Sequence, residues 1–150
     1  MKAVFEDMVW PFDIGASPDA APLTEDPLGL LHEVLWQKMH DSLMNPRQRR
    51  RTEIAVRYRG TPELPEELSA HLQQLLLRGL ERLIVMLNLA YERGELRRGL
   101  NPVGVAQSLV AACIGVVVEH MNNPQADLIH SFSFAPGLVL LGAGRHLNPR

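Results

Sequence analysis

Apolar residues recur along this chain at three- and four-residue steps, the period of an amphipathic helix, from one end to the other. Val4, Phe5, Met8, Val9 and Phe12 predict a short helix from Lys2 to about Trp10, bent or ended by Pro11. Residues 15–22, with Gly15, Ser17, Pro18, Asp19 and Pro22, read as a loop. Thr24-Glu25-Asp26-Pro27 is a start signal: an oxygen-bearing cap, then a proline in the first turn, where its missing N–H costs nothing. The second helix then carries Leu28, Leu31, Leu35, Met39 and Leu43 on one face, flanked by Leu30, His32 and Val34. Asn45-Pro46 repeats the signal and opens a third helix to about Tyr58, ended by Arg59-Gly60-Thr61-Pro62.

Leu64-Pro65-Glu66-Glu67 starts the longest element, with acids where the helix dipole favours them. Its period (Leu68, Leu72, Leu75, Leu76, Gly79, Leu83, Met86, Leu87, Ala90) holds until Gly94. After a connector to Leu100, Asn101-Pro102 opens a fifth helix that runs to about Met121, where Asn122-Asn123-Pro124 stops it. The stretch from Ala126 to Leu147 has a helical pattern but contains Pro136, Gly137, Gly142 and Gly144, which predicts a kinked or broken helix. Nothing alternates with period two and nothing repeats, so the expected fold is all-α, about six helices in one domain over residues 1–150.

The fifth helix is apolar nearly all round. Val103, Ala106, Val110, Cys113, Ile114, Val117 and Met121 would line one side, with Val105, Leu109, Ala112 and Val116 filling most of the remainder. Gly104, Ser108, Ala111 and Gly115 make a separate stripe of small residues. Such a helix must be covered nearly all round. In a chain this short, a second copy is the favoured cover for the small stripe, since small side chains let helix axes approach. Leu138, Leu141 and Gly142 on the last helix would join it, giving a two-fold four-helix interface. The competing reading is a monomer that wraps this helix internally.

Composition narrows the class. The chain has 150 residues, of which 46% are hydrophobic and 21% charged, enough to build a globular core. Val103 to Val118, the richest apolar stretch, is interrupted by Gln107 and Ser108, so no membrane partner is expected. A single cysteine, Cys113, suits a reducing compartment, and Met1 to Asp7 lacks a secretory pattern, so the expected location is cytoplasmic. A net charge of -2 gives no global electrostatic case for DNA binding by this chain alone.

Candidate chemistry is sparse. His32, His40, His71, His120, His130 and His146 form no H-x-x-x-H or E-x-x-H pair, and Asp127 with His130 is a lone D-x-x-H, so no metal and no cofactor are expected. Cys113 has no histidine at a readable spacing and is weighed as a small core residue rather than a nucleophile. Phosphate-binding glycine motifs and a nucleophile elbow are absent, so the chain is not expected to be an enzyme. Arg47, Arg49, Arg50, Arg51, Arg57 and Arg59, opposed locally by Glu53, read as a solvated face or a domain contact. Phe5, Val9, Trp10 and Phe12 on the first helix, Trp36, Met39 and His40 on the second, Tyr58 on the third, Met86 on the fourth, and Cys113 and Val117 on the fifth could wall a site for apolar ligands. For any one of them, ordinary core packing is the competing assignment.

Ala90-Tyr91-Glu92-Arg93-Gly94-Glu95-Leu96-Arg97, then Leu100-Asn101-Pro102, Ala106, Leu109 and Gly115, resembles the turn into the penultimate, dimer-forming helix of tetracycline-repressor (TetR) family regulators. Asp26-Pro27-Leu28 and the segment Arg47 to Ile54 look like the acriflavine-resistance-repressor (AcrR-like) branch, which controls multidrug efflux genes. Lys2-Ala3-Val4-Phe5 looks like the start of the helix that follows that family's helix-turn-helix domain. The resemblance implies a ligand-binding and dimerisation domain without its DNA-binding module. It adds Thr52 and Val56 to the ligand-facing positions, beside Phe5 and Val9; an apolar Val56 departs from the polar or aromatic residues usual there. The expected function is effector sensing for a repressor of this type: a homodimer binds a small apolar or drug-like ligand and lets go of DNA. The alternative is an interaction protein that forms mixed dimers with full-length repressors and has no ligand of its own.

Overall fold

The computed structural model describes residues 25–144. The helix expected over Lys2 to Trp10, and with it Phe5, Val9, Trp10 and Phe12, lies outside them. Five helices make up the described part: α1 (Pro27–Met44), α2 (Pro46–Arg57), α3 (Glu66–Glu92), α4 (Pro102–Asn122) and α5 (Leu128–Ala143). The fold is all-α; among the described residues the only β-type contact is a single antiparallel bridge between Leu96 and Gly144.

The starts follow from the caps. Asp26, Asn45, Asn101 and Asp127 each accept a backbone N–H of the first turn through their side chains. In three of the four a proline follows, so one of the orphan donors is removed rather than satisfied. Asp127 bonds the His130 amide at 3.0 Å, which accounts for the D-x-x-H spacing as a cap. The end of α3 depends on Gly94, whose φ of 74° is left-handed. Around it Glu95 N bonds Ala90 O at 2.9 Å and Gly94 N bonds Tyr91 O at 3.0 Å, the paired reverse bonds of a Schellman ending.

Helix α4 is the hub. It packs on α2, α3 and α5, while α1 packs on α2, α3 and α5. Leu28, Leu31, Leu35, Met39 and Leu43 of α1 are all buried, as their spacing predicts. On α3 the burial is graded: Leu68, Gly79, Leu83, Met86, Leu87 and Ala90 are buried, whereas Leu72, Leu75 and Leu76 are half-covered. At 21 residues α4 is long and apolar enough to cross a membrane by length and composition. Seven of its residues are nevertheless buried against the other helices, as the central helix of a bundle is.

Two expectations change. The inner face of α4 is Val105, Ala106, Leu109, Val110, Cys113, Val116 and Val117, so Val103 is open and Ile114 only partly covered. At about 100° per residue, the flanking helices centre their contact on Leu109 and Cys113, one position round from the predicted line. The last helix is continuous rather than broken: α5 runs from Leu128 to Ala143 with Pro136 inside it. Proline removes one i→i−4 bond and crowds a carbonyl, and the extensive packing of α5 on α4 and α1 holds the segment helical regardless. A Cβ at Gly137 would sit 4.0 Å from His32 Nε2 of α1, an ordinary contact, so the approach of the two helices there does not demand glycine.

Candidate functional site

Of the predicted ligand positions within the described residues, Met39, Met86, Cys113 and Val117 are part of the hydrophobic core. Met39 on α1, Thr52 on α2, Met86 on α3, and Cys113 and Val117 on α4 are all buried. Trp36, His40, Val56 and Tyr58 are partly covered. Trp36 and His40, one turn apart on α1, stack with ring centroids 5.0 Å apart and planes inclined by 17°. His40 Nδ1 is 3.5 Å from Asp41 Oδ1 without the geometry of a hydrogen bond. Thr52 spends its hydroxyl locally, donating to Gln48 O at 3.0 Å.

Cys113 is fully enclosed, and burial pushes its thiol far above the ordinary range. It therefore stays a neutral thiol and packs as a small apolar residue. Across the α2–α4 contact, His120 Nε2 lies 4.0 Å from Glu53 Oε1, and Arg49 Nε is 3.9 Å from the same oxygen. His120 Nδ1 is buried and has no hydrogen-bond partner. No group of three or more His, Cys, Asp or Glu among the described residues is arranged to hold a metal ion.

The arginine-rich face of α2 is not uniform. Arg47, Arg50, Arg57 and Arg59 are exposed and Arg49 is partly covered, as a solvated face requires. Arg51 is the exception at 3% exposed. Among the described residues only Ser42, Arg51 and Thr52 are buried polar or charged side chains, so Arg51 is the sole buried charge there. Sequence reasoning grouped it with its neighbours. The signal that singles it out is positional: Arg51 sits one residue from Thr52 and four from Ala55, the two other buried positions of α2.

The proposed dimer positions all retain open surface. Ser108, Ala111 and Gly115 of α4 and Leu138 and Gly142 of α5 are exposed, and Gly104 and Leu141 are half-covered. Val103 and Val118, also on α4, stand out at 39% each, and Leu138 at 52%. A Cβ added at Gly115 or Gly142 would meet nothing within 4 Å, so nothing in the protomer itself demands glycine there.

The connector between α3 and α4 ties distant ends together. Glu95 Oε2 accepts the Leu28 amide at 3.0 Å, capping the start of α1 from 67 residues away. Two residues on, Arg97 donates from its amide to Ala143 O at 2.9 Å and from Nε to Gly144 O at 3.3 Å, at the end of α5. An acid at a helix N-terminus and a base at a C-terminus both complement the helix dipole. Burial raises the Glu95 carboxyl above its ordinary value, partly opposed by the Leu28 N–H bond. Neither contact was legible as a role for Glu95 or Arg97 from spacing alone.

Comparison with known proteins adds no identification: no family model matches the chain, and no curated protein or solved structure matches it.

Proposed function

We propose that this chain is the effector-sensing and dimerisation domain of a cytoplasmic transcriptional repressor of the tetracycline-repressor type, AcrR-like, controlling a multidrug efflux system. The observation that carries the reading is the divided surface of α4. One side is core, while Ser108, Ala111 and Gly115 with Val103 and Val118 stay open beside Leu138 of α5. An apolar, low-relief surface of this kind on two adjacent helices suits a two-fold four-helix interface with a second copy. The interior between α1, α2, α3 and α4 supplies the sensing half, with Met39, Met86, Cys113 and Val117 around it. Soft thioether side chains there can repack around ligands of different shape.

The mechanism is a change of spacing. A ligand wedged against α2 and α4 moves the elements that lead to a helix-turn-helix module in the parent polypeptide. Operator half-sites lie about one helical turn, ~34–36 Å, apart, so a shift of a few ångströms loses one of them. The ligand must bind the spread state better than the closed one, since equal affinity shifts nothing. Size exclusion is expected to give about twice the protomer's 16.8 kDa; a mass near the protomer value would remove the dimer. Calorimetric titration with a panel of neutral, cationic and anionic efflux substrates is expected to show saturable binding for at least one class. A panel without any saturable isotherm would remove the sensor.

A further inference from the structure

We infer that the connector between α3 and α4 is a coupling strap: residues 94–99 tie the first turn of α1 to the last turn of α5, so that loosening either end loosens the other. It concerns how the helices move together and stands apart from the sensing role proposed above. Helix ends open first, because their outermost backbone groups lack partners inside the helix. Here two ends, far apart in the chain, borrow partners from one short segment.

In the first turn of α1, Pro27 has no N–H to place, and Asp26 Oδ1 accepts the Gly29 amide at 2.8 Å. The Leu28 amide between them goes to Glu95 Oε2 at 3.0 Å. At the last turn of α5, Ala143 O accepts the Arg97 amide at 2.9 Å and Gly144 O accepts Arg97 Nε at 3.3 Å. Each of these groups is an orphan of its own helix, and the connector satisfies it.

A strap transmits only if it moves as a unit. Leu96, between the two holding residues, is 3% exposed and pairs with Gly144 in the antiparallel bridge. The Leu100 amide bonds Arg97 O at 3.2 Å and closes the turn behind it. Gly94 and Gly99, with φ of 74° and 85°, bend the backbone at either end of the segment. The segment is thus anchored in its middle and bent by glycine at both ends. If the end of α5 carries Arg97 away, Glu95, two residues off, is drawn from the Leu28 amide. At 3.0 Å that bond has only about 0.5 Å to spare before it is lost. Helices α1 and α5 also pack directly on each other, so transmission through the packed interior is the competing route.

The test is amide hydrogen exchange, resolved by residue, on the ligand-free full chain: wild type, R97M, E95A, E95Q and the double variant E95A/R97M. The amides followed are Leu28, Gly29 and Leu30 at the start of α1, and Gly144, bonded to Leu140 O at 2.8 Å, at the end of α5. Val34 and Leu35, in the middle of α1, serve as controls. R97M removes a bond to α5, yet it is expected to speed exchange at Leu28, Gly29 and Leu30 about two- to tenfold, the worth of one hydrogen bond. Reciprocally, E95A speeds exchange at Gly144, while E95Q, which keeps an acceptor for Leu28, leaves Gly144 at the wild-type rate. In the E95A background R97M adds nothing further at the start of α1, because the link is already cut. Val34 and Leu35 keep their rates throughout. Faster exchange in R97M confined to the end of α5 would overturn the strap. So would an R97M effect on α1 that is equally large with and without Glu95, or one that spreads to Val34 and Leu35, since either means transmission through the interior. Should the double variant not fold, the single variants and the two control amides decide. No ligand enters these measurements, so their outcome is independent of the fate of the sensor.

Discussion

Helices α2 and α4 pack against each other and depart from apolar-in, polar-out in opposite directions. Helix α2 has five arginines in twelve residues and buries one of them. Helix α4 has one carboxylate in twenty-one residues and leaves two valines in the open. Composition alone would put the first wholly at the surface and the second wholly inside. Position decides instead: α2 is pinned by Asn45 immediately after α1, so one of its faces must meet the core whatever it carries. Helix α4 already has three neighbours, α2, α3 and α5, and none of them is left to cover its small-residue side. A buried arginine on one helix and open valines on the other are the two departures that composition does not predict.

The largest expected effect separates the two sides of α4. Leu109 is fully buried, so Leu109→Ala deletes packed methylenes and is expected to cost about 2–5 kcal/mol in denaturant unfolding. Val118→Ala on the open side should stay within about 0.5 kcal/mol for a dissociated protomer, measured at a concentration low enough to keep it monomeric. Similar losses at both positions under those conditions would show that α4 has no open side.

Gly115 sharpens the same contrast through assembly. Because a Cβ at this position meets nothing within the protomer, Gly115→Ala should stabilise an isolated helix by roughly 0.5–1 kcal/mol through propensity alone. Against a closely approaching second copy the sign reverses. Gly115→Arg should keep the circular dichroism of the wild type while shifting its sizing profile toward the protomer mass, because an unpaired charge at a buried interface costs about 3–5 kcal/mol. A Gly115→Arg protein that remains dimeric would move the second copy to a different face.

What could be read from the sequence was what local physics controls. The caps at Asp26, Asn45 and Asn101, each followed by proline, marked three helix starts within a residue or two. The Leu28-to-Leu43 stripe named the buried face of α1 outright. The register of α4 was off by one position because a helix apolar on all sides carries no moment to orient it. Whether α5 is kinked or broken was left open because Pro136 and Gly137 report local preference, while the packing on α4 and α1 that keeps it one helix is tertiary. The burial of Met39, Met86, Cys113 and Val117 followed from helical spacing, but that of Arg51 did not. Five charged neighbours of one type look alike until the core chooses the one that faces it. Glu95 posed the same difficulty on a larger scale, its partner being 67 residues away.

Glu95 also yields the smallest and most directional test. Its carboxyl is raised chiefly by burial, with the nearby Asp26 charge adding to the rise and the Leu28 N–H and Arg93 opposing it. A carboxyl raised by folding contributes stability that is complete below its unfolded value, near 4.5, and that is lost as pH climbs through the folded value. Glu95→Gln keeps a carbonyl oxygen for the Leu28 amide but has no proton to lose. The difference in melting temperature, variant minus wild type, should therefore become more positive between pH 4 and pH 7. Carboxyls that do not interact with Glu95 cancel in that difference. Glu95→Ala, which leaves the Leu28 donor without its acceptor, should melt lower than Glu95→Gln at both pH values, by about 1 kcal/mol of capping energy. A difference that instead turned against glutamine as pH rose would mean that attraction of the charged carboxylate to the start of α1 outweighs its burial. The connector would then hold α1 by charge rather than by a hydrogen bond.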